Sequence, residues 1–514
     1  MYWRFARDLR GFLRTPLTMD DCRRELAARL DQRAARWLHL VRQTVFDNPR
    51  SPYLKLLRHA GCGFADLENG VRRDGLEPTL QRLADRGVRV SHEQFKGRGE
   101  FREADFDNPR LAPHLEAATG ASRGAGTRTP YELSFLRDEW AMHLVPMIAG
   151  LDLLAHPAAI WYPILPGAGT IVLLGRHKAG LKAARWFSPV AANQIRPSLK
   201  NRLGQQVVLR CGNLLGTGWP APEYVSLAEP EKIIHWLRAM LDEHGGCCLA
   251  SYTSAVAALC QRGRETGVSL AGARFTVSGE PLTAAKRAAI EATGATVYST
   301  YASMEAGLIG GGCFQPEHAD EVHFFSDSFA LVQRPRPVPH ADATVDAFLL
   351  TSLLPSAPKI LLNVETGDYG CRVERPCGCL WEQLGLSVHL HDIRGFDKLT
   401  GAGMTFIGTD LVRVMEEVLP ARFGGGATDY QMLEEEHDGR TRLVILIHPR
   451  LGPLDETVVV QTVLDQLRRG AEHNRMMAAI WQQSNMLAVR RAEPQTTRRG
   501  KLLPLHIQSQ KPLD

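Results

Sequence analysis

No stretch of this sequence is long and apolar enough to read as a membrane span. The longest run without Asp, Glu, Lys or Arg goes from Leu153 to Gly175, and His156, Pro157, Pro163, Pro166, Gly167 and Gly169 break it into strand-sized blocks. The opening Met1–Leu13 carries charges throughout and lacks the apolar core of a secretion signal. Charge of one sign is also missing: 61 Lys and Arg face 56 Asp and Glu, a formal net charge of +5 over 514 residues. That balance is far from the footprint of a nucleic-acid-binding protein, which needs a basic stripe or a domain of extreme pI, so no nucleic-acid partner is expected. There is no internal repeat, no low-complexity tract and no G-x-x-x-x-G-K-[S/T] phosphate loop. Ten cysteines without a secretion signal read as free thiols or metal ligands rather than disulfides, so a reducing cytoplasm is the expected compartment.

What is present is an ordinary apolar content, 44% of residues, in a chain long enough for two or more domains. The first ~110 residues read as mostly helical, with helical spacing of apolar residues from Met19 to Phe46. Charge density rises and the period fades from Asp85 to Phe106, which predicts a linker or surface segment. Between Glu116 and Glu374, short β-branched runs (Thr170–Leu174, Gln206–Arg210, Ala273–Val277, Thr296–Tyr298) alternate with helical patterns such as Thr283–Ala292. Such alternation predicts an α/β domain with substantial parallel sheet. From about Arg394 the rhythm changes: a helix over Thr409–Val418, a strand over Leu443–Ile447, a helix over Val458–Arg468 and a basic tail. The expected division is a large multi-layer α/β domain (1–393, with its helical leader) and a small α+β lid (394–514).

Two stretches carry chemistry. In Thr119-Gly120-Ala121-Ser122-Arg123-Gly124-Ala125-Gly126-Thr127-Arg128, glycines admit an anion close to backbone N–H groups, hydroxyls add donors and two arginines add charge. A polyphosphate cradle needs those features, although a Gly/Ser/Thr surface loop has them too. The second stretch runs from Phe275 through Val277-Ser278-Gly279-Glu280-Pro281 to Thr296-Val297-Tyr298-Ser299-Thr300-Tyr301-Ala302-Ser303-Met304-Glu305-Ala306-Gly307. It reads as strand, turn, helix, strand and a polar loop. Loops at the carboxyl ends of parallel strands are where such sheets bind ligands. Tyr301 offers a flat face to a base, and Glu305 a hard oxygen suited to Mg²⁺.

Val277–Gly307 resembles the core of the adenylate-forming superfamily of acyl-CoA synthetases, peptide-synthetase adenylation domains and luciferases, most nearly its phenylacetate-CoA ligase-like branch. Four further matches follow the family's order: the Gly/Ser/Thr loop, loosely; Thr366-Gly367-Asp368, with Val364 in place of a tyrosine; Arg394-Gly395-Phe396-Asp397; and Gly500-Lys501. The resemblance implies roles for these positions. Thr119, Gly120, Ser122, Arg123 and Gly124 would hold the ATP phosphates. Gly279, Glu280 and Pro281 would line the adenine, with Tyr301, Ala302 and Ser303 beside it. Glu305 would bind Mg²⁺, Asp368 the ribose hydroxyls and Arg394 the nucleotide. Asp397 would be the hinge and Lys501 the catalytic lysine, although Lys501 also lies in a basic tail with Arg498 and Arg499. Met304 stands where the family has Ser or Thr, and Arg123 where it has a small residue.

Cys313, His318, His323, Cys377 and Cys379 form a second constellation, able to supply a closed Cys₃His zinc site or to be unrelated thiols and imidazoles. Members of the resembling branch carry a structural zinc, and His323-Phe324-Phe325-Ser326-Asp327 matches their histidine better than His318 does. Cys247-Cys248 reads as part of a strand or its end, and Ala250–Ser254 lies where the family's acyl pocket begins, so it either touches substrate or packs in the core. The implied reaction joins a carboxylate to ATP as an acyl-adenylate, then passes it to coenzyme A. The alternatives are transfer to a carrier-protein or protein thiol or to an amine, and a catalytically inactive zinc-stabilised binding homologue.

Overall fold

The computed structural model describes residues 1–14, 16–118, 127–189, 198–227, 229–337, 344–395, 399–401, 404–406, 414–426, 429–437, 440–469, 472–495 and 505–507. A short hairpin, β1 (Leu115–Ala118) and β2 (Arg128–Tyr131), precedes the main sheet. The main-sheet strands in chain order are β3 (Ala158–Trp161), β4 (Ala183–Ser188), β5 (Pro222–Tyr224), β6 (Cys247–Tyr252), β7 (Ala273–Ser278), β8 (Thr296–Ser303) and β9 (Gly307–Gly312). They continue as β10 (Val322–Phe324), β11 (Phe329–Pro337), β12 (Thr344–Ser352), β13 (Val364–Glu374) and β14 (Val388–Gly395). All 12 pair in the order β11-β12-β13-β14-β10-β9-β8-β7-β6-β3-β4-β5.

The sheet has two halves. From β5 to β8 every pairing is parallel, linked by crossover helices such as Gly169–Lys178 and Thr253–Glu265. From β8 to β11 every pairing is antiparallel. The seam is the β8–β9 turn, and Glu305 sits in it. After β14 comes the small hairpin of β15 (Leu399–Gly401) and β16 (Met404–Phe406). A 4-stranded sheet follows, built from β17 (Tyr430–His437), β18 (Arg440–Ile447), β19 (Leu487–Arg491) and β20 (Leu505–Ile507). Helices Glu456–Arg469 and Glu472–Gln483 accompany it, and helix Thr253–Glu265 touches β18.

The α/β expectation and its substantial parallel sheet are met, within a sheet that is mixed. Strands over Ala273–Val277, Thr296–Tyr298, Cys247–Cys248 and Leu443–Ile447 are present, as are helices over Thr283–Ala292 and Val458–Arg468 with small shifts at their ends. Of the helix expected over Thr409–Val418, only Val414–Val418 is described; it is a wide helical turn running into helix Leu419–Phe423.

Three expectations need correction. Thr170–Leu174 and Gln206–Arg210 are helical, within Gly169–Lys178 and Leu199–Leu214. Helix Gly169–Lys178 is buried on nearly every side, so it has no polar face, and its apolar run imitates a strand. In the second helix, Val207-Val208-Leu209 looks strand-like, yet Ser198 Oγ caps the helix by accepting from Asn201 N at 3.3 Å. The segment from Asp85 to Phe106 is not a linker. Val88, Val90, Phe95, Phe101 and Phe106 are buried with the antiparallel strands, and Val90 bridges Val364. Five apolar side chains at irregular spacing are enough to anchor it, and irregular spacing carries no period to detect.

Candidate active site

Glu305 is placed by a turn with several restraints. Ser303 Oγ accepts from Ala306 N at 3.1 Å, and Tyr131 donates its hydroxyl hydrogen to the Met304 carbonyl. Gly307 follows with φ +86°, a conformation that costs a residue with a Cβ about 1 kcal/mol or more. A Cβ there would also lie 2.3 Å from Glu139 Oε2, while Glu139 Oε1 accepts from Leu308 N at 2.9 Å. The turn therefore rests on Tyr131 and Glu139, both fully buried.

Glu139 belongs to a buried ionic chain. His143 donates through Nε2 to Asp327 Oδ1 at 2.9 Å and lies 3.6 Å from Glu139 Oε1, and Arg29 Nη1 reaches Asp327 Oδ2 at 3.4 Å. Burial pushes the Glu139 carboxyl up to about 7, although His143 and the Leu308 N–H oppose it. Burial lowers His143, but Asp327 and Glu139 outweigh it and bring the imidazole up to about 9.

The Glu305 carboxylate is 5% exposed and accepts a hydrogen bond from Lys96 Nζ. Burial raises its pKa; the charge and hydrogen bond of Lys96, helped by Lys359, more than compensate and hold it below the ordinary carboxylate value. Lys96 follows the short helix His92–Phe95, which packs on β13. His92 lies against Gly367: a Cβ on Gly367, where φ is +86°, would stand 2.8 Å from His92 Nδ1. One leader segment thus touches both the Thr366-Gly367-Asp368 turn and the Glu305 turn. Tyr301, four residues before Glu305, donates its hydroxyl to Asp368 Oδ2 at 2.9 Å, and the Asp368 N–H donates to Thr366 Oγ1 at 3.2 Å.

The structure therefore brings Tyr301, Ala302, Ser303, Glu305 and Asp368 to the seam between the sheet halves. Gly279, with φ +82°, turns the chain at the carboxyl end of β7. The Glu280 carboxylate lies 3.9 Å from Lys286 Nζ, and the Glu280 carbonyl accepts from Thr253 Oγ1 at 3.1 Å. Pro281 continues that turn. Arg394 closes β14 and donates to Asp320 Oδ2 at 2.6 Å, away from Asp368. Thr119, Gly120, Ser122, Arg123 and Gly124, together with Asp397 and Lys501, lie outside the described residues. Lys96, His92, Tyr131 and Glu139 were not marked by the sequence, because each owes its place to tertiary contacts rather than to a motif.

The second constellation lies at the far end of β9. Ligand atoms of Cys313, His323, Cys377 and Cys379 all fall within 4.8 Å of one another. His323 Nδ1 donates to the Leu386 carbonyl at 2.6 Å, leaving the Nε2 lone pair directed at Cys379 Sγ (3.2 Å) and Cys377 Sγ (3.5 Å). The Cys-Gly-Cys turn is held by Glu382, which accepts from Cys377 N at 2.8 Å and from Gly378 N, and Gly378 adopts φ +69°. Cys379 is the thiol held low, first by its hydrogen bond with Cys313 and then by His323, while that same bond and burial push Cys313 up. His318 is elsewhere, stacked on His391 at 3.7 Å. All ten cysteines are free thiols, and among the described residues no helix is long and apolar enough to cross a membrane.

No protein-family model and no curated protein sequence matches the chain. Solved structures do. A 2-hydroxyisobutyryl-CoA ligase, solved with its acyl-adenylate and CoA, aligns over 94% of this chain and 90% of its own at 14% identity, with a TM-score of 0.57. An amide bond synthetase from Marinactinospora thermotolerans aligns over 93% of each chain at 12% identity, with a TM-score of 0.40. The first likeness shows that this chain shares the fold of that CoA ligase.

Proposed function

We propose that this protein is an ATP- and Mg²⁺-dependent ligase that activates a carboxylic acid as its acyl-adenylate and then passes the acyl group to a thiol, with coenzyme A as the acceptor. The observation that carries the proposal is the Tyr301–Asp368 hydrogen bond beside the turn that holds buried Glu305, at the seam of a sheet that shares its fold with a CoA ligase. An oxygen of the substrate carboxylate attacks the α-phosphorus of ATP, an O–P bond forms, the bond to the β-phosphate oxygen breaks, and pyrophosphate leaves. The thiolate of coenzyme A then attacks the acyl carbon, and AMP departs.

Each residue has a task in this scheme. Asp368, an acceptor-only carboxylate oriented by Tyr301, holds the ribose hydroxyls. Tyr301 and Ala302 flank the base. Glu305 suits Mg²⁺: it is a buried hard-oxygen ligand held in its ionised form. Mg²⁺, when held there, screens the phosphate charge. Lys96, at the same carboxylate, adds a second cation facing the phosphates. Thr119, Gly120, Ser122, Arg123 and Gly124 cradle the β- and γ-phosphates, Arg394 turns from Asp320 toward the nucleotide, and Lys501 stabilises charge developing at the α-phosphoryl group. Residues 394–514 act as the lid, pivoting near Asp397 to bring Lys501 in for the first step and withdraw it for the second.

The Cys313–His323–Cys377–Cys379 set fits Zn²⁺: three sulfurs and one imidazole of fixed tautomer fill a tetrahedral site and leave no position open, which is a structural role. The same set supports membership of the phenylacetate-CoA ligase-like branch. Acid-dependent pyrophosphate release from MgATP tests the activity; no release with any acid and no ATP binding would defeat it. An inert protein that holds zinc would instead favour the reading as a binding homologue.

A further inference from the structure

Arg176 is 3% exposed, near the end of helix Gly169–Lys178, and no carboxylate pairs with it among the described residues. Its Nη2 donates to Thr276 Oγ1 at 2.6 Å, and its Nη1 has no hydrogen-bond partner among those residues. Burial lowers its pKa, and only Cys248 and Tyr162 oppose that; the carboxyl end of its own helix offers partial negative charge but no ion pair. A buried guanidinium held this way is costly to fold around, and it marks a place where an anion is received.

The surroundings say which ligand would bring that anion. Thr276 and Ser278 share one face of β7, and register continues the row across the sheet to Ala250 and Tyr252 on β6 and to Tyr298 and Thr300 on β8, with Ala302 next along β8. Above this row, Tyr162 bonds Ser278 Oγ at 3.0 Å and the Ser251 carbonyl at 2.9 Å and meets Tyr252 edge-on. Ala250, Thr276, Ser278, Thr300 and Ala302 carry small side chains along this row, with Tyr252 and Tyr298 at its flanks, and the row runs from the level of Arg176 toward the Glu305 end. From the level of Ala302 to that of Thr276 is four residues of strand, about 13 Å.

We propose that Arg176 is the specificity residue of the acyl pocket, and that the substrate is a dicarboxylic acid, or an acid ending in another oxyanion, whose distal group docks on Nη1 while its reacting carboxylate lies near Glu305. This rests on the adenylation reading above and deepens it. The distal anion neutralises the guanidinium and satisfies its unused donor; a simple fatty or aryl acid would leave both as they are and desolvate the site further.

The test is pyrophosphate release with dicarboxylates of roughly eight to twelve carbons, the length that spans about 13 Å, and their monocarboxylate counterparts, each at saturating MgATP. The wild-type protein is expected to favour a diacid over its matched monoacid by about a hundredfold or more in kcat/KM. Arg176→Met should cost the diacid about that factor while the monoacid holds or gains. Thr276→Val, which only frees the guanidinium from its orienting hydroxyl, should raise KM for the diacid severalfold with kcat little changed. Should Arg176→Met fail to fold, Thr276→Val and protection of the wild-type protein from thermal unfolding by the diacid alone carry the same question. A wild-type preference for monoacids, or a diacid-to-monoacid ratio unmoved by both variants, overturns this assignment and leaves adenylation standing. Absence of turnover with every acid together with absence of ATP binding strikes the adenylation reading instead.

Discussion

β9 joins two polar constellations that differ in kind. Before its first residue is Glu305; after its last is Cys313. At the Cys313 end, three sulfurs and one imidazole nitrogen converge within 4.8 Å, a backbone carbonyl fixes the tautomer and a glutamate fixes the turn, so a metal there would have its coordination complete. At the Glu305 end, one carboxylate meets one lysine, and the neighbouring carboxylate of Asp368 is oriented by a tyrosine. The closed cluster has the makings of a structural element. The open one leaves charge unenclosed by protein ligands, and on the function proposed above it serves the chemistry while the closed one serves the scaffold.

The contrast can be broken at either end, and the largest effect is expected at Glu305. Glu305→Gln should lower kcat for acid-dependent pyrophosphate release by roughly 10²–10³-fold, the loss typical of one electrostatic contact in a reacting site, with the metal content of the Cys/His cluster unchanged. Lys501→Ala should cost as much in kcat while ATP binding, followed by calorimetry, persists. Cys379→Ser should do the reverse: bound zinc falls from one equivalent toward none by elemental analysis, and stability drops by several kcal/mol through the lost metal linkage.

Smaller effects sharpen the comparison. Gly307→Ala places a Cβ at positive φ against Glu139 and should tilt the Glu305 turn, reducing kcat about tenfold without touching zinc. Lys96→Met should move the acid limb of the pH–rate profile upward, because the cation that holds the Glu305 carboxylate low is gone while the burial that raises it remains. Glu139 gives the mildest signal. Its folded value of about 7 lies above the ordinary 4.5, so its contribution to stability is full below 4.5 and is lost as pH rises through about 7. Glu139→Gln should flatten that part of the stability curve, a difference on the order of 2 kcal/mol in chemical denaturation between pH 4.5 and 7.

The parallel half of the sheet was legible because its strands β7 and β8 flank an ordinary helix, and their carboxyl-end loops hold the residues with recognisable chemistry. The antiparallel half was harder. Its core is shared with helices of the leader, and a pattern read along one segment cannot report that Phe95 and Phe106 will meet Phe324 and Phe348. For the same reason Glu305 and Asp368 stand out in the chain as candidates, whereas Lys96, which helps hold the Glu305 carboxyl below its ordinary value, does not: Phe-Lys-Gly-Arg-Gly looks like any polar turn until the helix before it packs on β13. Thr170–Leu174 misled in the opposite direction, since full burial erases the polar face by which a helix is told from a strand.

ATP–pyrophosphate exchange in the presence of a carboxylic acid panel tests the central claim most directly. Exchange that requires both the acid and Mg²⁺, and that disappears in Glu305→Gln and in Lys501→Ala, is the expected result. Exchange that survives intact in Glu305→Gln, or is absent with every acid in a protein that fails to bind ATP, would contradict it.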